Sequence, residues 1–157
     1  MRERLVICAI VACLAGSACA PRYSLTVAGA RGESAETDLA IQELMVRNVI
    51  AKESARDVIL VSFGKTRLDH VDPPASFFGR LADLDVTLQP VSQGDALATS
   101  NALLLVVHGI EMSGETEASV AVTCFRYGVG AMDGFTAAVE WRDGVWRVVK
   151  TTRQWST

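Results

Sequence analysis

The residues with most to offer chemically sit in one short run, Asp69-His70-Val71-Asp72, followed by Pro73-Pro74. Two carboxylates and an imidazole this close could converge on a divalent cation, with His108 or Asp95 completing the shell. The spacing meets no zinc or calcium rule, and an Asp before two prolines serves equally as a turn residue or helix cap. Asp69, His70 and Asp72 are therefore weak ligand candidates, and neither a metal nor a cofactor is expected. The other histidine, His108, stands in Val106-Val107-His108-Gly109-Ile110-Glu111. Strand alternation puts it on the side of Leu104, Val106 and Ile110. A catalytic imidazole there would need a carboxylate across the sheet, such as Asp85 or Glu140. His108 and Glu140 are thus the weak catalytic candidates. The patterns G-x-S-x-G, H-E-x-x-H and G-x-x-x-x-G-K are all missing, and no helix follows Gly128 and Gly130 to make a phosphate loop. The balance leans away from an enzyme.

The elements that would carry these residues are legible from periodicity and turn chemistry. A helix is expected from Glu36 to Arg56, capped by Ser34 or Thr37, with Glu36 and Asp38 near its positive end. At 100° per residue, Ala40, Ile41, Leu44, Met45, Val49, Ala51 and Ala55 fill one half of its wheel. Leu39, Val46 and Ile50 make a second apolar stripe on the other half. A helix lying on one sheet needs only one apolar face, so this stripe is the candidate interaction surface for a protein partner or a second copy of the chain.

Val58–Phe63 is β-branched and ends at Gly64, as a strand would. A loop, a short helix or turn over Ala75–Leu84, and a strand over Asp85–Val91 follow, with Pro90 confining the last to an edge or end. Leu103–Glu111 and Glu117–Tyr127 read as strands joined through a turn. The final pair, Phe135–Arg142 and Val145–Trp155, flanks Asp143-Gly144, the dipeptide that a type I′ turn favours. A two-residue loop sets the register: Trp141 opposite Trp146, Val139 opposite Val148, Glu140 opposite Arg147. The Trp and Val pairs then share the core side, with Trp155 on the opposite face.

One long helix packed on a curved antiparallel sheet of about five to six strands satisfies this order and gives an α+β class. The order of elements over residues 36–157 resembles the cystatin-like and NTF2-like rolls. That resemblance implies a scaffold used by enzymes, ligand-binding cones and interaction modules alike.

The amino terminus addresses location. Arg2 and Arg4 precede an apolar run, Leu5–Ala15, and the small residues Gly16, Ser17 and Ala18. This is the layout of a secretory signal, and the run is too short for a stable spanning helix. Gly16-Ser17-Ala18-Cys19 resembles the lipobox of bacterial lipoproteins, although that family usually has Leu where Gly16 stands. The resemblance implies a signal over residues 1–19, cleavage before Cys19, acylation of Cys19, and a tether over residues 20–35 leading into a single domain over 36–157. The partner it implies is a membrane, reached through the N-terminal lipid, and the location is the extracytoplasmic side of the cell envelope. Ile10-Val11-Ala12-Cys13 is a second lipobox-like stretch, and Ala18-Cys19-Ala20 also fits a plain secretory cut, with Pro21 then awkwardly placed. With Cys19 acylated and Cys8 and Cys13 removed, Cys124 has no partner, and its expected role is a small buried hydrophobe. Plain secretion leaves a Cys19–Cys124 bridge open.

The net charge is −3, becoming −4 without residues 1–19, and no Lys/Arg block occurs, so nucleic acid is not an expected partner.

Overall fold

The structure, a computed structural model, describes residues 25–53, 56–98 and 101–157, without the side chains of 95–98. It is an α+β fold in which a curled seven-stranded mixed sheet holds one main helix. The strands are β1 (Thr26–Ala28), β2 (Val58–Gly64), β3 (Leu88–Pro90), β4 (Ala102–Met112), β5 (Glu117–Arg126), β6 (Ala131–Arg142) and β7 (Val145–Ser156). The helices are α1 (Ala35–Ile50) and the short α2 (Ala75–Arg80). Across the sheet the order is β1-β7-β6-β5-β4-β2-β3.

Strands β4 to β7 form an antiparallel meander, as their connecting turns require. At the last turn both Asp143 (φ 55°) and Gly144 (φ 85°) adopt the left-handed backbone that a type I′ turn needs. The expected register follows: Trp141 pairs Trp146, Glu140 pairs Arg147 and Val139 pairs Val148. Beyond Val148 the strand bulges, and a second irregularity at Gly134 brings Trp155 opposite that glycine. A Cβ on Gly134 would stand 2.5 Å from Trp155 Nε1, so only a glycine lets the indole lie against the strand there.

The sheet departs from a purely antiparallel one of five to six strands. Strand β2 runs parallel to both β3 and β4, because a crossover through α2, β3 and the 3₁₀ segment Val91–Ala98 separates β2 from β4. The two outermost strands, β3 and β1, are short edges. The expected strand over Asp85–Val91 pairs only at Leu88–Pro90, where Pro90 ends it, and β1 adds to the outer side of β7.

The helix starts where its cap is. The Ser34 side chain accepts a hydrogen bond from the Thr37 N–H at 3.1 Å, and Glu36 and Asp38 lie in the first turn. It ends at Ile50 rather than Arg56; the chain turns at 51–53, and Glu53 reaches across to Arg126.

Ile41, Leu44, Met45 and Val49 face a core built from alternate residues of the sheet: Ile59, Val61 and Phe63 on β2, Leu103, Leu105 and Val107 on β4, Val120 and Val122 on β5, Val139 on β6 and Trp146 on β7.

The second stripe of α1 is not an open surface. Val46 is completely buried, and Leu39 and Ile50 are half-buried against the same core. The wheel assumed a single layer below the helix. In the structure the segment from α2 to Leu84 touches α1 as well, and its Phe77 and Leu81 belong to the same buried cluster. Arg47 fastens that segment by donating to Asp83 at 2.8 Å and to the Arg80 carbonyl at 2.7 Å, while also pairing with Glu43. Burying one Val or Leu side chain contributes about 1.5–3 kcal/mol, ample reason for an apolar stripe to acquire a cover.

Candidate functional site

With α1 and the α2 segment occupying one face of the sheet, the opposite face carries Leu60, Ser62, Leu104, Val106, His108, Thr123, Phe125, Met132 and Gly134 by register. Near β2 this face is closed by the chain that leaves Gly64. Val71 pairs back onto Phe63, and the Ser62 hydroxyl lies 3.4 Å from the Val71 carbonyl. The same loop overhangs the middle of the sheet and leaves a groove of about 310 Å³, lined by Arg67, Leu68 and His70 above and by Leu104, Val106, Thr123, Phe125 and Met132 below. This size is at the lower end for sites that hold small molecules.

The loop is shaped by its acidic residues. The Asp69 carboxylate accepts the backbone N–H groups of Lys65 (3.1 Å) and Thr66 (2.8 Å), and these bonds hold its carboxyl below the usual range. Asp72 accepts from the Ser92 hydroxyl and, at 3.0 Å, from the Ser92 N–H, with the same effect on its carboxyl. The expected ligand set is therefore not brought together. Asp69 is turned into its own turn, Asp72 toward Ser92, and His70 is exposed between them. Among the described residues no group of three metal-binding side chains converges. The side chain of Asp95 lies outside the described part.

His108 is half-buried beside the groove, and its Nε2 lies 3.1 Å from Thr123 Oγ1. Burial, and then the Arg67 guanidinium, hold its pKa below the ordinary value, against an opposing pull from Asp69. Its neighbour across the sheet is thus a hydroxyl and not a carboxylate. Glu140 is four residues along β6 from the row that contains His108, roughly 13 Å away at ordinary strand rise, and it pairs with Arg147 and Glu117. Asp85 is exposed ahead of β3, which is not a neighbour of β4. Among the described residues no acid–base pair forms around His108.

A second cavity, of about 290 Å³, opens at the end of α1 and includes Val49, Glu53, Cys124, Arg126, Asp133 and Arg153 in its lining. Most of its charges are spent on one another, while Lys52, exposed at its edge, makes no ion pair among the described residues. Arg126 pairs with both Glu53 and Asp133, Glu53 also pairs with Arg56 at 3.1 Å, and Arg153 lies 3.6 Å from Asp133. Burial alone would raise the Glu53 carboxyl; hydrogen bonds and charge from Arg126 and Arg56 outweigh it and hold the group below its ordinary value. The Cys124 thiol is free, buried, and pushed up to about 12 by that burial, so it is not a nucleophile at neutral pH.

Sequence reasoning missed Arg67 and Trp155 as partners. The guanidinium of Arg67 stacks over the Trp155 ring at 5.6 Å. Eighty-eight positions separate them, and only the folded sheet brings them together. Cys19 and the rest of the expected signal lie outside the described residues, and no described helix is long and apolar enough to cross a membrane.

No protein-family model, no curated protein and no solved structure matches this chain, so its function has to be read from its own residues.

Proposed function

We propose that this chain is an exported bacterial lipoprotein, anchored through an acylated Cys19 on the extracytoplasmic side of the envelope. Its domain, a roll of the cystatin-like or NTF2-like kind, is a non-enzymatic binding module. The observation that carries the binding reading is the groove on the helix-free face of the sheet. Leu104, Phe125 and Met132 are half-buried in its floor around Val106, which the fold already buries, and Leu68, 77% exposed, stands at its lip. Aliphatic and aromatic side chains left against solvent are a cost that a ligand removes by covering them. The lipid reading is supported by the signal-like start and by the small residues before Cys19.

The alternative is a small-molecule or catalytic cone of the NTF2-like type. The residues expected inside it, His108 and Glu140, lie on the helix-free face, four residues of β6 apart, so a cone would have to use the helix side. The cavity beside Glu53 and Arg126 speaks for it, but the mutual pairing of Glu53, Arg126, Asp133 and Arg153 leaves only the exposed Lys52 to offer a substrate.

Each half has its own test. Cells expressing the full chain should incorporate a labelled fatty acid into it and retain it with membranes, and Cys19→Ser should abolish both. A soluble, unlabelled wild type would defeat the anchor. For the groove, the neutral apolar dye N-phenylnaphthylamine should bind the Cys19→Ser chain saturably, and Leu68→Glu should weaken it. Equal binding by Leu68→Glu would move the site elsewhere.

A further inference from the structure

The groove is not uniform. Its floor is apolar, whereas its overhanging rim carries a cation, the Arg67 guanidinium. Arg67 makes no ion pair among the described residues, and its one described contact is the face of Trp155. A ring face attracts the guanidinium but accepts no ion-paired hydrogen bond from it, so the N–H groups that bind carboxylate and phosphate oxygens are not taken up by an acid among the described residues. His70 stands beside it on the same rim, exposed. Asp69, two residues along from Arg67, keeps its negative charge and acts on His108, but its oxygens are turned onto the N–H groups of Lys65 and Thr66 and make no ion pair with Arg67. Among the described residues no acid lines the groove itself.

An apolar floor that ends under an unneutralised cation matches a ligand with the same division. We infer that the groove takes a single-chain anionic amphiphile, its alkyl chain on Leu104, Val106, Phe125 and Met132 and its carboxylate or phosphate head at Arg67 and His70. A space of about 310 Å³ suits one chain, not the two of a bilayer lipid, so the occupant is a free monoacyl molecule rather than a membrane surface. This rests on the groove being the binding surface proposed above. The roles within it differ. Arg67 reads the head through a charge-assisted hydrogen bond, Leu68 closes over the chain, and Trp155 keeps Arg67 in place.

Calorimetric titration of the full chain carrying Cys19→Ser, which keeps a protein-bound acyl group out of competition, tests this with four probes of equal chain length and one without a chain. Dodecanoate and dodecyl phosphate should bind at least tenfold more tightly than dodecanol, and dodecyltrimethylammonium more weakly than dodecanol. Inorganic phosphate alone should not compete at millimolar concentration. Arg67→Gln, a change at an exposed side chain, should erase the preference for the two anions over dodecanol, weakening them at least tenfold more than it weakens dodecanol. Leu68→Glu should weaken all four chained probes. Equal binding of dodecanol and dodecanoate by the wild type would overturn the anionic head and leave the groove reading intact. Competition by inorganic phosphate, or binding to phosphatidylglycerol vesicles without affinity for dodecanoate, would overturn the amphiphile. If no probe binds, the amphiphile and the groove reading fall together.

Discussion

The indole N–H of Trp146 donates to the carbonyl of Ala30 at 2.9 Å, and that of Trp141, across the hairpin, donates to Gly29 at 3.0 Å. The two rings thereby hold the chain between β1 and α1 against the last hairpin. Gly29 fits there because a Cβ would come within 2.6 Å of the Ala40 side chain. Trp146 is completely buried, whereas Trp141 is only half-buried. Trp146→Ala should therefore cost roughly 3–5 kcal/mol in urea unfolding, and Trp141→Ala less. Near-wild-type stability of Trp146→Ala would contradict the packing.

Arg126 is the centre of the charged end of the fold, so its removal should be read against pH. Glu53 has a folded carboxyl below its ordinary 4.5, which means its contribution to stability is present above that value and is lost as the pH falls through the folded one. Asp133, held down by Ser156 and then by Arg126 and Arg153 against the effect of burial, adds in the same direction. Arg126→Met should cost on the order of 3 kcal/mol at pH 7, because two part-buried carboxylates lose their shared cation. The variant should also lose less stability than the wild type between pH 7 and pH 4. Parallel pH profiles for the two proteins would show that the network does not act this way.

His108 reports on the rim of the groove. In an NMR titration it should protonate below its ordinary 6.5, because burial and Arg67 both disfavour the imidazolium. A depressed folded value means that the unfolded chain takes the proton more readily. This residue thus favours the fold above about 6.5, and less so as the pH falls through the folded value. Arg67→Gln should raise the measured pKa, and Asp69→Asn should lower it further. A wild-type value above 6.5 would place Arg67 away from His108.

What could be read in advance was what is local. Asp143-Gly144 set the final register because turn type and strand alternation act over a few residues, and Ser34 marked the helix start for the same reason. The parallel pairing of β2 with β4 depends on a crossover of some forty residues that carries no local signature. Val46 looked like a surface residue because a helical wheel knows one neighbour, and the α2 segment is a second one. Asp69 and Asp72 looked like ligands because backbone N–H groups, their real partners, do not appear in a sequence pattern. The groove was illegible for a related reason: its floor comes from three strands, and its rim from a loop that returns over them.

Methyl-resolved NMR of the Cys19→Ser chain during titration with N-phenylnaphthylamine tests most directly whether the helix-free face of the sheet is the binding surface. The methyl signals of Leu68, Leu104, Val106 and Met132 should shift with saturation, while Val49, beside the Glu53–Arg126 cavity, stays in place. A shift at Val49 with those four unmoved would contradict it and put the site on the helix side.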